Sequence, residues 1–246
     1  MTHKVHMLWA HPRSVSTAFE RVMRERGDLT VFHEPFMHFY YLERITRLSA
    51  EFEAIPGHPT TYPDTRNMIL NAAETQPVFV KDMAYYMADK VLQDKDFMDH
   101  MTHVFLVRDP VETAVSYARI DPDFEEAELG FNAQWAMVQH LTARNVPVHV
   151  IRSDQLRRDP ATTMQAYWEF AGLSPNPGAL TWQQGTPKDW KYVEGWHKNV
   201  TASTGIKAAP DRDYKADFAA LPDRFRTMVD GHLEAYQSLV ALTEQT

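Results

Sequence analysis

Apolar positions along the chain gather into five short runs: VHMLWA (5–10), LTVFH (29–33), PVFVKDM (77–83), THVFLVR (102–108) and PVHVIR (147–152). Each is too short for a core helix and is almost unbroken by polar residues, the pattern of a parallel strand covered on both faces. Between the runs, apolar residues recur at helical spacing. Helices are predicted at 17–26, with Phe19, Val22 and Met23 on one face, at about 84–93, 110–119, about 129–144 and 160–171, and a last one at about 222–243. Strand and helix in alternation predict an α/β fold, with a central parallel sheet of about five strands and helices on both faces.

Two helix starts are signposted. Asp109 precedes Pro110, with Glu112 completing an Asp-x-x-Glu box; Asp159 precedes Pro160, and Gly172 stands where that helix should end. Residues 54–66 hold three prolines and a glycine, and 174–213 are rich in Pro, Gly, Ser and Trp, so both read as long loops of the kind that hold ligands. The last helix would close the chain. No repeat or composition shift divides the 246 residues, and residues 1–246 are read as a single domain.

Composition narrows the function classes. A net charge of −8 argues against a general nucleic-acid binder, so an anionic ligand must be met by a local cluster of basic groups and backbone N–H donors. With no cysteine there are no disulfides, zinc thiolates or cysteine nucleophiles. The twelve histidines show no metal-ligand spacing; His100 and His103, near a strand start, read as solvated. The apolar runs are too short for a membrane span, and MTHKVHMLWA lacks the form of a secretory signal, so a cytoplasmic protein is expected.

The chemistry starts at HPRSVST (11–17), where the first strand turns directly into a helix. Such a junction presents unpaired backbone N–H groups and the positive end of the helix dipole, which suits a phosphate. The nucleotide-hydrolase pattern GxxxxGK[ST] is absent, since the turn has no glycine and no lysine precedes Ser16 or Thr17. Ser14, Ser16 and Thr17 add hydroxyls, and Arg13 a fixed cationic fork. For this turn alone, an anion site and a capped helix with a surface arginine both stand. A second basic element, FLVRDPVETAVSYAR (105–119), ends a strand at Arg108 and carries Ser116 eight residues on. Two arginines at the carboxyl edge of one parallel sheet point to a ligand with separated anionic groups.

These residues resemble a family. HPRSVSTAF is similar to the loop with which sulfotransferases hold the 5′-phosphosulfate of 3′-phosphoadenosine 5′-phosphosulfate (PAPS), and RDPVETAVSYAR resembles their 3′-phosphate motif. SDQLRRDPATTMQAYWEFAGL (153–173) resembles the segment with "DL, DP, then FLGL" that commonly follows. Together the matches cover roughly residues 5–173. The resemblance implies a P-loop-like domain, PAPS as sulfuryl donor, adenosine 3′,5′-bisphosphate as product, and no metal. It implies that Arg13 neutralises the bridging oxygen as the sulfuryl group leaves and that the backbone of Ser14, Val15, Ser16, Thr17 and Ala18 cradles the 5′-phosphate. Arg108 and Ser116 would hold the 3′-phosphate.

The sequence also departs from that family. Small-molecule cytosolic members carry Lys-Thr-His after the third strand, where this chain has Lys81, Asp82 and Met83. Other branches place a glutamate after the second strand, and TVFHEPF supplies one. Glu34 is therefore the expected general base, with His33 and Asp82 in reserve and the Glu34 carboxyl expected to be raised by an apolar site. Phe36, Tyr40 and Tyr41 are candidates for an aromatic acceptor wall, though helical spacing also suits them to the core. In 189–207, Trp196, His197, Lys198, Ser203 and Gly205 are candidate nucleotide contacts, without the family's usual Arg-Lys-Gly form. The expected acceptor is a hydroxyl, or else an amine, of a small molecule, lipid or sugar. Two alternatives remain: a kinase or hydrolase of a nucleoside triphosphate, and a non-catalytic relative that only binds adenosine 3′,5′-bisphosphate. No dimer motif is visible, and the oligomeric state stays open.

Overall fold

A computed structural model describes residues 3–44, 52, 54–187, 190 and 200–244. The five apolar runs form one sheet, all parallel, in the order β2-β3-β1-β4-β5. The strands are β1 (Val5–Ala10), β2 (Thr30–His33), β3 (Val78–Met83), β4 (Met101–Val107) and β5 (Val148–Arg152). Side-chain alternation divides the core between the two faces. Val5, Met7 and Trp9 of β1 pack with Val78 and Val80 of β3 in one apolar cluster, while Leu8 and Phe79 join Val104, Leu106 and Ile151 in the other. Helix α1 (Ser16–Glu25) covers the second face through Phe19, Val22 and Met23, as its spacing predicted.

The signposted helices form where their caps lie. The Asp109 carboxylate accepts from the N–H groups of Val111 and Glu112 at the start of Pro110–Ala118, and Asp159 accepts from Thr162 N–H at the start of Pro160–Ala171. Gly172, with φ of 69°, ends the latter. Glu112 does not close a capping box; its carboxylate accepts from Arg108 Nε at 3.0 Å instead.

Three expectations are corrected. The 54–66 loop stops early, because Thr61 accepts from Asp64 N–H and Pro63 suits the first turn of a helix Tyr62–Ala72. The closing helix is two, Asp223–Asp230 and Leu233–Ala241, parted at Gly231 and His232. There the His232 ring is engaged by Asn132 N–H and the Glu126 carbonyl, contacts that fix the break against a neighbouring element. His103 is not solvated. It is fully buried, accepts from Trp9 Nε1 at 3.1 Å and meets the Met98 carbonyl through Nε2 at 3.2 Å; burial pushes its pKa down to about 4. Among the described residues no helix is long and apolar enough to cross a membrane.

Candidate active site

β1 and β4 are paired as far as Trp9 and Phe105 and then part. The buried Gln134 amide holds the gap, donating through Nε2 to the carbonyls of Trp9 at 2.9 Å and Leu106 at 3.1 Å. Above the gap lies the turn 11–15. Lacking glycine, it nevertheless takes the left-handed conformation twice, at Arg13 (φ 64°) and Val15 (φ 74°). Each such residue costs on the order of 1–2 kcal/mol, more awkwardly for β-branched Val15, and persists because its surroundings hold it.

Those surroundings are specific. Ser14 is fully buried, its hydroxyl donating to the His11 carbonyl at 2.7 Å, while Ser153 from the end of β5 donates to the Ser14 carbonyl at 2.6 Å. His11, also fully buried, accepts from Arg108 N–H through Nε2 at 3.0 Å, so its proton sits on Nδ1, facing the Pro12 carbonyl. Burial, opposed by that carbonyl, pushes His11 down to about 3, which keeps it neutral. One neutral imidazole thus ties the turn after β1 to the end of β4. Val15 is the N-cap of α1 and its side chain cannot cap, so the helix start is not self-satisfied in the way the capped-helix reading requires.

The turn opens on a cavity of about 680 Å³ along the carboxyl ends of the strands. Arg13 and Ser116 meet there, Arg13 Nε donating to Ser116 Oγ at 3.1 Å. Arg108 spreads its fork over three partners: Glu112, the Arg13 carbonyl at 3.0 Å and the Tyr214 hydroxyl at 2.9 Å, with its guanidinium 5.4 Å from the centre of the Tyr214 ring. Arg157, from the short helix after β5, lines the same cavity. Burial first, then the charges of Arg108 and Arg157, push Arg13 down to about 10; Arg157 is lowered by burial and then by Arg108. Three arginines that raise one another's electrostatic energy form a preorganised seat for a multiply charged anion.

The other end of the cavity is built differently. Glu34, with φ of 43°, follows β2, and both its oxygens are engaged: Lys81 donates to Oε1 and the Tyr86 hydroxyl to Oε2 at 3.2 Å. Burial alone would raise this carboxyl, but the Lys81 ammonium and then His33 bring it below the usual carboxylate range. The expected upward shift is therefore corrected, and the reason is a fully buried lysine beside it. Lys81 also lies 3.8 Å from Glu20 Oε2, and Glu20 accepts from Arg24, from Trp190 Nε1 at 2.9 Å, and from His33 Nδ1 at 2.6 Å.

Of the remaining candidates, Val15, Ser16, Thr17, Ala18, His33, Glu34, Tyr41, Ser203 and Gly205 line the cavity. Ser14 is not among the residues that line the cavity; it is fully buried, its N–H and hydroxyl both donate to the His11 carbonyl, and its own carbonyl accepts from Ser153. Asp82 stands apart, fully buried and accepting from Phe36 N–H and Met83 N–H; burial and then the Glu34 charge push it well above its ordinary value. Phe36 is core, against Tyr62 and Phe97, and Tyr40 is buried among Tyr41, Tyr85 and Tyr86. The aromatic wall at this end consists instead of Tyr41, Phe52, Tyr85 and Tyr86 with Met37 and Met83. Trp196, His197 and Lys198 lie outside the described residues. Sequence reasoning missed Arg157, Tyr214 and the Tyr85–Tyr86 pair. The first sits in a double arginine in the short helix after β5 and the last at the start of the helix Ala84–Val91 that follows β3, both legible as lying beyond a strand's carboxyl end; Tyr214 carries no local signal.

With this geometry in place, comparison with known proteins is informative. A family model described as a sulfotransferase domain matches residues 4–222. Two Arabidopsis thaliana proteins, branched-chain-amino-acid aminotransferase-like proteins 1 and 2, are 26% and 25% identical over 215 residues, covering 81% of this chain. The chain spans 36% of the length of each of those relatives. Among solved structures, it is similar to the sulfotransferase domain from the curacin biosynthetic pathway (TM-score 0.55, 13% identity, 94% of this chain and 98% of that one). It is also similar to the sulfotransferase domain of the Synechococcus PCC 7002 olefin synthase (TM-score 0.51, 14% identity, 92% and 96%). At such identities these two likenesses speak for the fold.

Proposed function

The chain belongs to the sulfotransferase domain family, and from that membership we propose that it moves a sulfuryl group from PAPS to a hydroxyl of a small-molecule acceptor. The observation that carries the donor assignment is the meeting of Arg13, Arg108, Arg157 and Ser116 in a cavity that Val15, Ser16 and Thr17 of the turn and first helix also line. A nucleotide with phosphates at both the 5′ and 3′ positions has separated anionic groups to match that spread of charge. Arg13 would neutralise the oxygen that leaves sulfur, and Arg108 with Ser116 would hold the 3′-phosphate, Arg157 adding a third cation. Transfer of this kind depends on in-line placement and on fixed charge at the leaving oxygen, which arginines supply.

The acceptor would lie at the end walled by Tyr41, Phe52, Tyr85, Tyr86, Met37 and Met83, surfaces suited to an apolar or aromatic body whose hydroxyl reaches towards His33 and Glu34. A ligand selective for the native state raises its stability. Adenosine 3′,5′-bisphosphate should therefore raise the melting temperature where ATP with magnesium does not; the reverse preference would sink the donor assignment. Turnover of labelled PAPS against a panel of alcohols, phenols, sugars and amines then identifies the acceptor and separates an enzyme from a binding relative.

A further inference from the structure

Five tyrosines line the cavity: Tyr41, Tyr85, Tyr86, Tyr117 and Tyr214. Four of their hydroxyls are engaged by the protein. Tyr86 donates to Glu34 Oε2 at 3.2 Å, Tyr117 donates to Glu128 Oε1 at 3.2 Å, Tyr214 accepts from Arg108 at 2.9 Å, and Tyr41 faces the Tyr86 hydroxyl. The Tyr85 hydroxyl has no hydrogen-bond partner among the described residues, and it is not one of the unpaired polar atoms sealed in the core. Tyr85 is half-buried and lines the cavity, so its hydroxyl opens there.

The ring that carries this hydroxyl is held on three sides. Tyr40 and Tyr86 meet it edge to face, at centroid distances of 5.2 and 4.9 Å, and Gly130 lies against it. A Cβ at Gly130 would stand 3.4 Å from Tyr85 Cδ1 and 2.9 Å from His11 Cβ, so the missing side chain there makes room for both. Burial first, then the neighbouring Tyr117, Tyr41 and Glu128, push the Tyr85 phenol well above its ordinary value, so it stays a donor at neutral pH. A fixed donor without a partner, on a wall otherwise made of Phe52, Met37, Met83 and engaged tyrosines, is built to recognise an oxygen.

We propose that Tyr85 sets acceptor specificity: the acceptor is an apolar or aromatic molecule that carries, besides the hydroxyl to be sulfated, a second oxygen that accepts a hydrogen bond from the Tyr85 hydroxyl. This rests on the sulfotransferase reading given above and narrows its acceptor. A molecule of the same shape without that oxygen leaves Tyr85 unpaired in the loaded site, and a site built to hydrogen-bond an oxygen discriminates against the analogue that lacks it. A sugar is disfavoured for the converse reason. Its several hydroxyls lose water on entry, and among the described residues the tyrosines of this wall offer them one unengaged hydroxyl.

The test pairs acceptors that differ by one oxygen. With PAPS as donor, hydroxyacetophenones are set against isopropylphenols and methoxybenzyl alcohols against ethylbenzyl alcohols, with glucose and galactose alongside. In wild type, kcat/KM should favour the oxygenated member of a pair by about tenfold, since its partner leaves a buried donor unpaired. Tyr85→Phe should bring that ratio close to one, chiefly through KM for the acceptor. Tyr86→Phe removes a hydroxyl that serves Glu34 and should keep the ratio whatever it does to the rate, which a general loosening of the wall would not allow. The rise in melting temperature with adenosine 3′,5′-bisphosphate verifies that each variant is folded. Equal kcat/KM within every pair, a sugar as the best acceptor, a ratio that survives in folded Tyr85→Phe, or no turnover of any oxygenated member by a wild type that binds adenosine 3′,5′-bisphosphate defeats the specificity role alone. A wild type that neither binds adenosine 3′,5′-bisphosphate nor consumes PAPS defeats the donor reading and the specificity role with it.

Discussion

The two ends of the cavity handle charge in opposite ways. At the β1–β4 end, Arg13, Arg108 and Arg157 crowd together, and the first and last are lowered by burial and by their neighbours' charge. At the β2–β3 end, Glu20, Glu34, Lys81 and His33 sit deeper yet are paired oxygen by oxygen. The first end gathers three guanidiniums around one carboxylate, Glu112, an excess of positive charge that an arriving anion relieves. At the second, each carboxylate already has cationic or hydrogen-bonding partners within the protein. Crowded positive charge and paired charge are thus built into separate regions of one sheet edge.

Removing Lys81 should break the contrast most severely. Lys81→Met leaves two buried carboxylates facing each other, and stripping one partner from a buried ion pair typically costs about 3–5 kcal/mol. Denaturant unfolding should show that loss with the slope unchanged. Arg13→Ala should cost activity rather than stability: kcat falling by roughly 10²–10³-fold, the usual effect of deleting one charge-stabilising donor, with adenosine 3′,5′-bisphosphate binding partly retained by calorimetry.

Acid should act on the scaffold beneath both ends. His6, His11 and His103 are lowered to about 4, 3 and 4, chiefly by burial. A histidine with a depressed folded pKa favours the native state above its unfolded value of about 6.5, and that advantage is lost as pH falls towards the folded value. Melting temperature should therefore drop steadily from pH 7 to pH 4, and His103→Asn should flatten the slope.

A smaller effect sharpens the comparison from the donor side. Arg157→Ala removes a repelled cation but also its bonds to the Lys207 and Ala208 carbonyls, so the ligand-free melting temperature should change little while affinity for adenosine 3′,5′-bisphosphate falls about tenfold, the scale of one charge-assisted contact. Calorimetry and a thermal scan on the same sample check both halves. Least of all, Val15→Gly should shift stability by about 1 kcal/mol or less, since relief of the left-handed strain offsets lost packing beside α1.

What could be read from the chain was whatever is local. The five strands emerged from unbroken apolar runs, and the Asp-Pro starts at 109 and 159 came from cap chemistry within three residues. Arg13 and Arg108 were found because strand ends of a parallel sheet share an edge, a rule of topology rather than of contact. The protonation of Glu34 was not legible, because it depends on Lys81, 47 residues away and brought close only by the register of His33 against Lys81. A signal was nevertheless present: a lysine inside an apolar strand must find a carboxylate. Likewise the burial of Glu20 was not legible, because it depends on Trp190, Arg24 and His33 converging on its carboxylate.

The left-handed residues of the glycine-free turn have a consequence for motion. Conformational energy stored at Arg13 and Val15 is released when the segment lets go, so opening there costs less than the surrounding packing would imply. In hydrogen exchange, the amides that begin α1 should trade with solvent sooner than those of its second turn, and a bound anion should slow them first. The turn proposed to receive the nucleotide would then also be the place where the protein breathes.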